Sequence, residues 1–171
     1  EKIYPEIVEK LSEEIQKKTS GEGNTPIGAI SVDVSMKKIK QQINDAKNSS
    51  EVIEGNENSG WFIAPTLVIN PPSEAKILQE ETFGPVMTIH PFTSNDEVIK
   101  LANKTGYGLS ASIFGKKKKQ IKYISHRIHA GVVSINDVLT HYGIADLPFG
   151  GIGLSGIGKV HGREGLRAFS H

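Results

Sequence analysis

The hexapeptide Glu80-Glu81-Thr82-Phe83-Gly84-Pro85 sets two adjacent carboxylates before an aromatic ring and a Gly-Pro turn. A strand is expected directly after it. A carboxylate at such a turn can accept hydrogen bonds from the hydroxyls of a ribose, and Phe83 can press on a flat ring. Taken alone, the same residues also suit a solvated loop. Other arrangements carry less chemistry. Gly151-Ile152-Gly153-Leu154-Ser155-Gly156 matches G-x-G-x-x-G. A dinucleotide fingerprint, however, needs a strand before it, a helix after it and an acid about 20 residues on. Pro148-Phe149-Gly150 makes a poor strand and too little chain follows, so the glycines read as a loop that passes close to other backbone. His126 and His129 lie three apart on an expected helix, an incomplete ligand set, and no metal site is expected. Lys116–Lys119 has no interleaved aromatics and reads as a solvated face. No serine sits in a G-x-S-x-G elbow, and the sequence has no cysteine, so it holds no thiolate nucleophile, disulfide or thiolate metal site.

The elements that must position these residues follow from periodicity. Ile7, Val8, Leu11 and Ile15 form one face of a helix over Tyr4–Thr19. Met36, Ile39, Ile43 and Ala46 form the stripe of a second over Ser35–Lys47, with Ser35 as the expected cap. A short strand at Glu51–Glu54 is followed by a polar turn, Gly55–Gly60. Trp61–Asn70 is rich in β-branched and aromatic residues and reads as extended, with Pro65 keeping part of it out of a central ladder. Val86–Phe92, Leu109–Phe114 and Gly131–Ile135 read as strands. Ser94 or Asn95 caps a helix to about Asn103, and Lys116–Ile128 forms another with Ile121, Ile124 and Ile128 on one side. After Asn136 the chain is rich in glycine. Strands alternating with helices indicate a layered α/β architecture, a sheet with flanking helices, in one compact unit or one lobe of a larger domain.

A formal net charge of +1 gives no reason to expect nucleic acid or an acidic membrane as partner. Nothing in the sequence matches a signal peptide or a membrane span, and the lack of cysteine suits a cytoplasmic protein. Both ends read as cuts: the first residue is Glu1, and Leu166, Ala168 and Phe169 run to His171 without a closing turn signal.

The succession of motifs says more than any one of them. Phe62-Ile63-Ala64-Pro65-Thr66-Leu67 is followed by the Glu80–Val86 segment, then by Asn103-Lys104-Thr105-Gly106-Tyr107-Gly108-Leu109. Gly131-Val132-Val133-Ser134-Ile135-Asn136, Pro148-Phe149-Gly150-Gly151 and Ser155-Gly156-Ile157-Gly158 follow in order. This order, over nearly the whole chain, resembles the aldehyde dehydrogenase superfamily. The ending from Leu147 and the triplet Asn136-Asp137-Val138 look most like its class 3 and coniferyl aldehyde dehydrogenase types.

The resemblance implies a parent protein that oxidises aldehydes to carboxylic acids with NAD or NADP. In that family a cysteine thiolate attacks the aldehyde, hydride passes to the nicotinamide, and a glutamate activates water to release the acid. The nucleophile, the general base and the dinucleotide-binding domain all lie upstream in the family. The chain is therefore expected to be the later portion of the catalytic domain, a single partial domain over 1–171, with no catalytic residue of its own and no activity alone. By the same resemblance Glu81 holds the nicotinamide ribose, Phe83 lies beside the nicotinamide and Phe149 lines the aldehyde tunnel. Asn136 and the glycines after Gly150 shape the pocket wall. Ile152 stands where the family often has lysine, which again suits the class 3 type and leaves the choice between NAD and NADP open. The expected partners are a small aldehyde and either further copies of the chain or the missing N-terminal part. The rival expectation is a non-catalytic remnant or stand-alone domain acting through partner binding.

Overall fold

The β-branched run around Thr66–Ile69 forms the centre of a small mixed sheet on which two amphipathic helices pack. The structure, a computed structural model, describes residues 2–57 and 60–170, with residue 57 described by its backbone alone. The two terminal residues, on which the reading of cut ends partly rests, lie outside the described residues. So do Asn58 and Ser59 of the expected Gly55–Gly60 turn. The chain divides into two compact units, Glu1–Pro91 and Phe92–His171.

In the first unit α1 (Tyr4–Lys17) leads into β1 (Thr19–Ser20), and α2 spans Asp33–Lys47. β2 (Glu51–Glu54) and β3 (Asn56–Glu57) are followed by β4 (Thr66–Ile69), α3 (Lys76–Gln79) and β5 (Val86–Ile89). The main sheet runs β2-β4-β5, with β2 antiparallel and β5 parallel to β4; β1 and β3 form a separate parallel pair. Pro65 falls just before β4, so the missing N–H costs no ladder bond in the central strand. Thr66, Leu67 and Val68 are fully buried although they alternate between sheet faces. One face is covered by the α2 stripe: Met36, Ile39, Ile43 and Ala46 pack with Val52, Val68 and Val86. The amphipathic helix α1 packs on β2 and β4, with Val8, Leu11 and Ile15 half-buried.

Several boundaries differ from expectation: β3 falls inside the expected Gly55–Gly60 turn, and β4 and β5 are shorter than the expected runs Trp61–Asn70 and Val86–Phe92. Ser35 does not cap α2: the helix starts at Asp33 after an extended Val32 and has no side-chain cap. Asp33 in the first turn complements the positive helix end instead and pairs with Lys37 at 2.6 Å. Thr19 leaves α1, because the chain straightens at Lys18 to pair with β3.

The second unit holds α4 (Asn95–Ala102), β6 (Tyr107–Gly108), β7 (Ser110–Ile113), α5 (Lys118–Ser125) and β8 (Val132–Ile135). A 3-10 turn (Thr140–Gly143), β9 (Ile152–Gly153) and α6 (Gly162–Ala168) complete it. β7 and β8 pair in parallel with α5 as their crossover, and β6 pairs antiparallel with β9. Ser94 caps α4 as expected, its Oγ accepting from Glu97 N at 3.1 Å. Glu97 accepts in return from Thr93 N and Thr93 Oγ1, both at 2.7 Å, which holds its carboxyl below the usual carboxylate range. α5 is shorter than Lys116–Ile128 and buries Ile121 and Ile124. Among the described residues no helix is long and apolar enough to cross a membrane.

Candidate functional site

The carboxylates and the aromatic ring of the Glu80–Pro85 segment lie on the loop joining α3 to β5, and the loop is tied at both ends. Glu80 N donates to Lys76 O at 2.9 Å, closing α3, and Val86 N donates to Gly84 O at 2.8 Å as β5 begins. Two neighbouring residues of α2 fix its sides. Lys38 Nζ pairs with Glu80 Oε2 at 3.4 Å. Ile39 packs so closely under Gly84 that a Cβ there would sit 2.7 Å from Ile39 Cδ1. Between these anchors Glu81 is exposed and its carboxylate has no hydrogen-bond or ion-pair partner among the described residues. Phe83 holds a φ of 46°, in the left-handed region that costs a non-glycine residue about 1 kcal/mol or more. Phe83 is 84% exposed. The strained backbone thus displays an aromatic ring and a carboxylate between two points anchored on α2, Glu80 by Lys38 and Gly84 by Ile39. Periodicity in the sequence identifies α2 as a core helix but gives no sign that Lys38 and Ile39 anchor this loop.

Phe149 belongs to the second unit, in the stretch after the 3-10 turn. Phe149 N donates to Val160 O at 2.8 Å and Val160 N returns the bond at 2.7 Å, pinning the backbone on both sides of the glycine-rich loop. Its ring lies in an aromatic cluster. His141 stacks on it at 5.7 Å and 26°, Tyr142 meets it edge-on at 5.4 Å, and His161 is 6.3 Å away. An open groove of about 350 Å³ runs past Phe149, Leu109, Ser155 and Phe169. The sequence reading picked out Phe149 and missed His141, Tyr142 and His161. Their only signal was ring-bearing residues recurring within a dozen positions on either side.

The glycine-rich segment is structural. A Cβ on Gly131 would collide with the carbonyl of Gly150, so β8 and the Phe149 loop approach at a distance only glycine permits. Gly108 N donates to Ser155 Oγ at 2.8 Å, which pins the loop to β6. Asn136 has a φ of 53° and brackets Gly115: its Oδ1 accepts from Gly115 N at 2.8 Å and its Nδ2 donates to Gly115 O at 3.0 Å. His126 and His129 are both exposed at the end of α5, and His129 N donates to Asn103 Oδ1 at 2.8 Å. Lys116–Lys119 are exposed and form no ion pair among the described residues.

Sequence comparison gives the same frame as the fold. The profile of the aldehyde dehydrogenase family matches residues 1–171. The dimeric NADP-preferring aldehyde dehydrogenase of Rattus norvegicus is 34% identical over 174 residues, 99% of this chain and 37% of that protein. The betaine aldehyde dehydrogenase of Vibrio vulnificus is 34% identical over 96% of this chain and 36% of its own length. Among solved structures, the betaine aldehyde dehydrogenase of Staphylococcus aureus in complex with NAD+ matches with a TM-score of 0.85 at 30% identity, covering 98% of this chain and 35% of that one. An oxidoreductase from Marinobacter aquaeolei matches with a TM-score of 0.85 at 30% identity over 97% of this chain and 36% of its own. The chain thus spans a little over a third of each of these proteins. The match by profile, by identity and by α/β fold leads to one conclusion: the chain belongs to the aldehyde dehydrogenase family.

Proposed function

We propose that this chain is the later portion of the catalytic domain of an NAD- or NADP-dependent aldehyde dehydrogenase, a parent protein that oxidises an aldehyde to a carboxylic acid. Within the family, the Asn136-Asp137-Val138 triplet, the ending from Leu147 and Ile152 in place of lysine support the class 3 or coniferyl type. The observation that carries the reading is the contrast between two neighbours. The Glu80 carboxylate is taken by Lys38, whereas Glu81 is exposed and unpaired.

The loop fits the ribose and nicotinamide end of the cofactor. Glu81 offers two acceptor oxygens for ribose hydroxyls, and Phe83 offers an exposed ring face beside them. When bound there, the cofactor supplies the hydride acceptor. Glu81 fixes the sugar, and the rigid loop holds both groups in place before binding, so little ordering cost falls on association. Phe149 forms part of an apolar aldehyde-tunnel wall and excludes water from it. The sequence holds no cysteine, so the nucleophile belongs to the rest of the parent protein; the family resemblance puts the general base there too, and the chain alone completes no turnover.

In the full parent enzyme, Glu81→Gln lowers the rate of hydride transfer by about one to two decades. That is the worth of a hydrogen bond to a charged group, about 1.5–3 kcal/mol, if it is realised in the transition state. Glu80→Gln loses only an exposed ion pair and leaves the rate nearly unchanged. Stopped-flow reading of NADH or NADPH formation compares the two. If Glu80→Gln slows hydride transfer and Glu81→Gln does not, the assignment is off by one position. If neither matters, the ribose role is wrong.

A further inference from the structure

His141 is held in place by a serine. Ser134 lies in β8, and its Oγ is 3.0 Å from His141 Nδ1. The six residues between them are pinned twice more. Asn136 is bracketed to Gly115, and Asp137 accepts from both Thr140 N and Thr140 Oγ1 at the start of the 3-10 turn that carries His141. The His141 ring then stacks on Phe149 at 5.7 Å and 26°. A histidine ring alone has a broad, two-fold torsion about its last bond. The contact with Ser134 holds one ring orientation, with Nδ1 facing the hydroxyl, which can donate to a bare nitrogen or accept from a protonated one. His141 Nε2 has no hydrogen-bond partner among the described residues.

We propose that Ser134 is a positioning residue for the aldehyde site: by orienting the His141 imidazole, it sets the plate on which Phe149 stacks and so the shape of the tunnel wall. This rests on the assignment of Phe149 to the tunnel. Ser134 touches no substrate; it acts through His141 and then Phe149. Freed from the serine, the imidazole turns, the stack loosens, and the wall loses its fixed contour. Tunnel-wall contacts hold substrate and transition state alike, so the loss appears in KM for the aldehyde rather than in kcat.

The test is a double-mutant cycle in the full parent enzyme. Ser134→Ala raises KM for the aldehyde by about two- to tenfold, the worth of one neutral hydrogen bond, with kcat and the KM for the nicotinamide cofactor unchanged. Ser134→Thr, which keeps the hydroxyl in a strand that favours β-branched residues, restores the parent value. His141→Phe keeps a stacking ring that needs no serine, so Ser134→Ala adds nothing in that background. A merely structural serine gives additive effects in the cycle, and that result, or a rise in cofactor KM alone, overturns the proposal. In parallel, the 15N shifts of the His141 ring in the enzyme change on Ser134→Ala; unchanged shifts also overturn it. Phe149→Ala tests the underlying assignment separately. If it leaves KM for the aldehyde unchanged while the Ser134–His141 coupling and the shift change persist, the tunnel assignment fails and the Ser134–His141 positioning stands.

Discussion

Gly84→Ala tests whether α2 is the support of the Glu81 loop. The added Cβ would lie 2.7 Å from Ile39 Cδ1, 3.3 Å from Cγ1 and 3.5 Å from Cγ2. Favourable carbon–carbon contact begins at about 3.5 Å. The Cδ1 methyl is the end of a flexible side chain, but Ile39 is fully buried among Met36, Ile43 and Ile63, so it has little room to swing away. Overpacking of this kind costs about 1–3 kcal/mol. The reduced entropy of the unfolded chain returns about 0.4–1 kcal/mol, since the Gly84 backbone lies outside the left-handed region. The expected net loss is about 1 kcal/mol or somewhat more. Ile39→Val removes Cδ1, at about 0.5–1.5 kcal/mol of its own. In that background Gly84→Ala becomes nearly neutral, giving a coupling of about 1 kcal/mol. Urea unfolding of the four variants reads the coupling, and the cofactor KM of the parent enzyme reads loop displacement. If Gly84→Ala costs the same with Ile39 intact as in the Ile39→Val background, the two sites are independent, and α2 does not support the loop as argued.

Asn136→Ala destabilises by about 1–3 kcal/mol, from two lost bonds to Gly115 and a left-handed φ that alanine resists; Asn136→Gly relieves the backbone term and shows a smaller drop in melting temperature. Burial holds His90 below its ordinary pKa, with Nε2 enclosed and unpartnered, so its neutral form belongs to the folded state. The unfolded chain then binds the extra proton. The contribution of His90 to stability is therefore complete above about pH 6.5 and declines as pH falls below it. Urea midpoints between pH 5 and 7 should show a slope that flattens in His90→Gln. The 171-residue chain is expected to associate, with itself or with the rest of the parent protein, because Leu139, Ile157, Leu166 and Phe169 of the second unit are 75%, 103%, 76% and 90% exposed. Light scattering showing a monomer over a wide concentration range would count against this.

Much of the scaffold was legible in the sequence because its signals are local. The helical stripe of α2, the amphipathic face of α1 and the Ser94 cap each depend on residues within a turn or two of one another, and all three appear where their periodicity places them. The order of motifs pointed to the family by resemblance, and that order gave the Glu80–Pro85 segment its meaning. What the sequence missed depends on partners far along the chain. Ser35 is a good capping residue, yet α2 begins before it, since local preference sets where a helix can start and not where the preceding chain arrives. β6 and β9 are two residues each and carry no periodicity; they exist because Gly108 and Ile152 are brought together across the second unit. The difference between Glu80 and Glu81 is invisible in two identical letters and is made by Lys38, on another helix. The stack of His141 on Phe149, the bond from Ser134 that orients it, and the glycine contact between Gly131 and Gly150 likewise join residues that only tertiary packing brings together. Periodicity reports which face of an element is apolar; which side chains meet across the fold depends on steric fit between elements, and that is settled only when the chain has packed.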